Sequence, residues 1–195
     1  VASLHPGQSE VKLSIPFNRG SFRVSIGTQN FNYGPFRFNP IVMSSEAAGI
    51  PKINLGTDGP IDLGYKDFSL GKFELNLIYG WMQESDYFDE KVWNDTRYFN
   101  ALFVGFSPSF APNLTLGFNK VLYKNNEFFE AKDLFSTIVI KDDGVVGDSI
   151  NAGNDTFDQL ASLSAEWKFP EVGFRVYGEY ARNDFNGDLR RLMVE

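Results

Sequence analysis

Two stretches of this chain carry side chains of the types that hold a carbohydrate. Tyr33 opens the run Tyr33-Gly34-Pro35, and Arg37 follows it with a planar fork of donors suited to an acidic sugar. Further on, Tyr87, Phe88 and Trp93 stand among Asp86, Asp89 and Glu90, so flat rings able to stack on sugar faces lie beside carboxylates able to bond hydroxyls. Each group also has a plainer reading. Arg37 can fix a loop by pairing with a carboxylate, and residues 84–96 can be an aromatic girdle beside a solvated acidic loop. Arg175, Tyr177 and Glu179 alternate along one polar face and read as a structural charge network lining a lumen rather than as a site.

Other chemistries find little material. The chain has no Cys and one His, His5, which removes disulfides, thiolate metal sites and Cys nucleophiles and leaves almost nothing for histidine catalysis or zinc. No Gly-x-Ser-x-Gly elbow is present. A glycosidase needs only two carboxylates, a pattern without recognisable spacing, but nothing singles out such a pair, and the expectation is a protein that is not an enzyme. Asp142, Asp143, Asp148, Asp155 and Asp158 offer oxygen ligands for Ca²⁺, yet without the spacing of an EF-hand they read as a solvated run. No cofactor and no metal are expected. The formal charge of −7 argues against nucleic acid as a partner.

These groups need elements to position them, and the elements read as β. Of the 195 residues 43% are hydrophobic, with 20 Phe, 8 Tyr and 3 Trp, too apolar for a disordered chain. No run of 18 apolar residues exists to make a transmembrane helix, and Val1-Ala2-Ser3-Leu4-His5-Pro6 lacks the regions of a signal peptide. Alternation is strong: Val11, Leu13, Ile15 and Phe17; Phe22, Val24 and Ile26; Phe73, Leu75, Leu77, Tyr79 and Trp81; Leu102, Val104 and Phe106; Leu114, Leu116 and Phe118; Ala161, Leu163, Ala165, Trp167 and Phe169; Val172, Phe174, Val176 and Tyr180. Ile53 to Thr57 adds a short strand. Turns fall at 18–20, 58–60, 108–113 and 170–171. A long ordered loop with apolar anchors is expected near 30–52. A long exposed surface loop, with a short helix between Asn126 and Leu134, is expected near 124–158.

Alternation suits a β-sandwich and a membrane barrel equally. Three observations favour the barrel. The polar faces mix small residues with charges of both signs, aromatics cluster at strand ends, and short connections alternate with long ones.

Taken in order, several of these motifs resemble the Wzi-type capsule assembly proteins, an outer-membrane β-barrel family of Gram-negative bacteria. The carrying residues are Tyr33-Gly34-Pro35 with Arg37 and Pro40-Ile41-Val42-Met43-Ser44-Ser45-Glu46-Ala47-Ala48-Gly49-Ile50-Pro51. Later come Pro112-Asn113-Leu114, Leu116-Gly117 and Lys120, Asp158-Gln159-Leu160-Ala161-Ser162-Leu163, Phe169-Pro170, and Tyr177-Gly178-Glu179-Tyr180-Ala181-Arg182-Asn183-Asp184. Tyr33 stands where Trp is common in the family, and Ser45-Glu46 where paired Asn is usual. The resemblance implies an all-β, antiparallel transmembrane barrel of roughly eighteen strands that binds or anchors capsular or other surface polysaccharide, without catalysis. The expected partners are bacterial surface polysaccharide, outer-membrane lipid and further membrane proteins of an assembly, and the expected location is the bacterial outer membrane. Residues 1–195 would form part of one such barrel, about eight strands, with the remaining strands expected beyond Glu195. Two alternatives stay open: an outer-membrane pore for small solutes, and a soluble carbohydrate-binding β-sandwich.

Overall fold

The computed structural model describes residues 9–31, 33–36, 41–42, 49–65, 68–83, 96–111, 113–126, 129–138 and 157–183. They form nine strands: β1 (Glu10–Phe17), β2 (Gly20–Gly27), β3 (Lys52–Thr57), β4 (Ile61–Tyr65), β5 (Phe68–Gln83), β6 (Thr96–Pro108), β7 (Leu114–Asn125), β8 (Phe157–Phe169) and β9 (Phe174–Asn183). All belong to one antiparallel sheet in the order β1-β2-β3-β5-β6-β7-β8-β9, with β4 also paired to β5. Strand β3 pairs residues 76–80 of β5 and β4 pairs residues 68–73, so the two run end to end along one edge of it. The sheet is thus a meander in which each strand pairs its chain neighbour, counting β3 and β4 as one interrupted strand. Among the described residues β1 and β9 are its two edges, and closure into a barrel is not seen.

The connections sort by end. Phe17, Gly20, Tyr65, Phe68, Pro108, Leu114, Phe169 and Phe174 are strand ends at one end of the sheet, where successive strands are joined by few residues, and Gly27, Lys52, Gln83, Thr96, Asn125 and Phe157 are strand ends at the other, where they are joined by many. The short ones close by local chemistry. Pro170 starts a 3₁₀ turn whose end, Gly173, takes a left-handed φ of 65° and donates its N–H back to the Pro170 carbonyl. Asn113 supplies the left-handed φ of 67° that the 109–113 turn requires.

Because side chains alternate along each strand, the register sorts the whole sheet into two faces. Leu55, Leu77 and Leu102 are successive cross-strand neighbours on one face, as are Phe118, Leu163 and Tyr180. This face is apolar and open, with Val11, Ile26 and Val176 at least half exposed. The other face carries the polar residues and the buried cluster. Ile78, Phe99, Ala101, Phe103 and Val121 pack there beneath Phe31, Tyr33, Val42 and Ile50, so the apolar anchors of the 28–51 connection cover it.

Two features depart from the sequence expectation. Strand β5 begins at Phe68, ahead of the clean alternation at Lys72, because β4 pairs its first turn. The connection after β7 is not wholly exposed: Ala131–Phe135 forms a 3₁₀ turn, Ser136 to Ile138 a further turn, and Asp133, Ser136 and Thr137 are buried. The segment lies across the apolar face at its long-connection end. Lys124 Nζ meets Asp133 Oδ2 at 2.8 Å, Lys120 Nζ donates to the Ser136 carbonyl at 3.0 Å, and Asn100 Oδ1 accepts from the Thr137 N–H and hydroxyl.

At the other end, the turn after β3 ties down the first hairpin. Asp58 accepts from the Ser14 hydroxyl and from Lys12 Nζ at 2.9 Å, and its N–H donates to the Ser21 carbonyl. The Ser14 hydrogen bond, then the Lys12 ammonium, hold the Asp58 carboxyl below its ordinary 3.8. A depressed carboxyl stabilises the fold above its ordinary value and loses that contribution as pH falls through its lowered one. The pair is exposed, so Asp58→Asn is expected to cost at most about 1 kcal/mol at pH 7. It should make no difference well below the carboxyl range, as denaturant unfolding at the two pH values would measure.

Candidate functional site

On the polar face the register lines up Glu74, Gly105, Gly117, Ser164 and Glu179 as one row across five strands. Two carboxylates therefore flank three positions with little or no side chain. A Cβ on Gly117 would come within 2.3 Å of Ser164 Oγ, which shows how closely the floor is drawn. Tyr33, Gly34 and Pro35 pass over this floor, and the space between is a cavity of about 230 Å³, also bounded by Asn76, Asn119, Thr115 and Glu166.

Its walls are held by hydrogen bonds. Asn119 donates to Ser162 Oγ at 3.0 Å, and the Ser162 hydroxyl donates to Glu179 Oε1 at 2.7 Å. Glu179 Oε2 is buried without a hydrogen-bond partner and faces Gly34, where an added Cβ would sit 3.2 Å away. Glu166 is fixed by two cations, Arg175 at 2.9 Å and Lys168 at 3.2 Å. The Arg175 guanidinium lies 4.4 Å over the Tyr177 ring, whose plane Phe36 meets edge-on at 5.0 Å. Of the residues expected to form a charge network, Arg175 and Tyr177 are in direct contact, and Glu179 shares their face but bonds to Ser162.

Tyr33 is half-buried, and one face of its ring stacks on Phe103 with centroids 3.4 Å apart. Burial pushes its phenol far above the ordinary range. The ring thus anchors the segment to β6 and borders the cavity. Beside it, the Phe31 ring lies under Arg23 of β2 and Lys52 of β3, at 5.2 and 5.5 Å. Arg37, Tyr87 and Trp93 lie outside the described residues, as do Asp142, Asp143, Asp148 and Asp155.

Glu74 and Glu166 were legible in the sequence only as charges of the polar faces, and Asn119, Ser162 and Ser164 were not singled out as a site, although alternation puts all of them on polar faces. What sequence lacks is the register that sets Gly105 opposite Gly117. Chemically the cavity offers carboxylate and amide acceptors, hydroxyls and a ring border, the groups that bind polyhydroxylated ligands. No group of three side chains able to hold a metal ion occurs among the described residues. Compared with protein-family models, with curated proteins and with solved structures, the chain gives no match.

Proposed function

We propose that this chain is part of the wall of an outer-membrane β-barrel that binds or anchors surface polysaccharide without catalysis. The observation that carries the proposal is the inverted sheet. Apolar side chains line its open face on all eight strand positions, while carboxylates, amides and hydroxyls turn to the face on which Phe31, Tyr33, Val42 and Ile50 pack. A soluble sandwich would bury the apolar face under a second sheet, whereas the nine strands form one.

The dimensions fit a bilayer. From Phe73 to Trp81 the apolar face of β5 runs about 27 Å, or about 21 Å along the axis of a barrel tilted by ~40°, against an expected apolar band of ~25 Å. Aromatics mark both rims: Phe17 on Phe22 and Trp167 on Phe169 at the short-turn end, and Trp81 opposite Tyr98 at the other.

The binding role rests on the cavity chemistry and on the resemblance to capsule assembly barrels, which the motifs alone carry. The stacked Tyr33 segment across the polar face favours a plugged interior over an open pore. The experiment pairs membrane fractionation with polysaccharide retention on cells. The protein is expected to need detergent for extraction. Gly117→Leu, which fills the cavity while the Ser164 hydroxyl swings aside, is expected to keep the protein in the membrane and to reduce retention several-fold. Retention unchanged by Gly117→Leu rules out this cavity, and bilayer conductance without retention favours the pore.

A further inference from the structure

The geometry points to a lipid contact built from residues 129–138, the segment strapped over the outer, apolar face of β6–β8, and this inference rests on the membrane reading above. At their long-connection end these strands turn polar on that face: Asn100, Lys120, Lys124 and Gln159 are all buried there. The segment binds several of these with its own polar groups, namely Asp133, the Ser136 carbonyl and Thr137. Tyr79 adds a hydrogen bond from its hydroxyl to the Leu134 carbonyl, and Tyr98 packs on Phe129. With its polar groups spent inward, the segment presents Phe129, Leu134, Phe135 and Ile138 outward, Phe135 and Ile138 more than half exposed. A strap meant only for water would show the opposite arrangement. The outward charges, Glu130 and Lys132, pair with each other.

Its place in the register identifies the occupant. The Lys120 row adjoins Phe118, Val104 and Leu163 of the apolar band, so the exposed side chains of the strap continue that band where the strands themselves could not. A surface that combines bulky apolar side chains with a neutralised ion pair, laid from the Lys120 row out to the Lys124 row of a membrane-facing wall, matches acyl chains running out to the headgroup boundary. The strap thus converts a polar rim into a lipid-compatible one.

The chain has no Cys, so single-Cys variants carry a nitroxide without background. In vesicles of phosphatidylcholine with phosphatidylglycerol, Leu116→Cys reports the apolar face, Glu171→Cys the aqueous short-turn end, and Phe135→Cys and Ile138→Cys the strap. The ratio of oxygen to nickel-chelate accessibility is expected to be several-fold higher at 116, 135 and 138 than at 171. A lipid-buried label at 116 with labels at 135 and 138 as aqueous as 171 overturns the strap inference alone. An aqueous label at 116 overturns the membrane reading on which it rests.

Discussion

Asp133→Ala is expected to destabilise the folded protein by roughly 3–5 kcal/mol, because it strands a buried charge. Asp133 is 1% exposed and its partner Lys124 5%. The carboxylate also accepts the Glu130 N–H at 2.9 Å and the Ser136 hydroxyl, so it closes the 3₁₀ turn as well as neutralising the ammonium. The large cost reflects the lysine left behind rather than the strength of the pair, since desolvation offsets most of the attraction between the two. Asp133→Asn keeps the turn contacts and loses the charge, and should fall between the variant and the parent. The double variant Lys124→Met with Asp133→Leu removes both charges and should recover most of the loss. Denaturant unfolding of all four proteins in one detergent measures this series. If Asp133→Ala unfolds within about 0.5 kcal/mol of the parent, as an ordinary surface change would, the strap is not fastened as described.

How much of this was legible in the sequence differs from element to element. Alternation alone located β1, β2, β5–β9 and the short β3, because period-2 patterning is written locally. It missed β4, where Gly64 sits at a register shift against β5 and the run is only five residues long. The apolar anchors of the 28–51 connection were legible as such, and Tyr33, Val42 and Ile50 do pack on the buried cluster. The strap was not. Lys120 and Lys124 stand on the same face as Leu114, Leu116 and Phe118, which looks like failing alternation until Asp133 and Ser136 are brought over them. The polar cavity was half legible: Glu179 and its neighbours were on the right face, but a row such as Glu74-Gly105-Gly117-Ser164-Glu179 exists only once five strands are in register. Pairing between distant segments has no local signature, so the parts that depend on it had to come from the structure.

Neighbouring residues on β8 separate the membrane reading from its rivals by the size of a difference. Leu163 lies on the apolar face between Phe118 and Tyr180 and is 44% exposed, while Ser164 is half-buried on the polar face between Gly117 and Glu179. In a bilayer, Leu163→Arg places a guanidinium among acyl chains near the middle of the band and is expected to cost roughly 2–4 kcal/mol. Ser164→Arg enters a polar cavity bounded by Glu166 and next to Glu179 across the strand pair, where a cation finds carboxylates, and is expected to cost less than about 1 kcal/mol by comparison with other lumen changes. In a water-soluble sheet the excess at Leu163 disappears. Leu163 would then be an exposed surface position where substitution falls within about 0.5 kcal/mol, no more than Ser164→Arg in its unchanged polar cavity. Folding free energies from urea titration into vesicles give both numbers in one system. Leu163→Arg costing more than Ser164→Arg is what an acyl-facing wall requires, and the absence of that excess would mean that the open apolar face of this sheet meets something other than lipid.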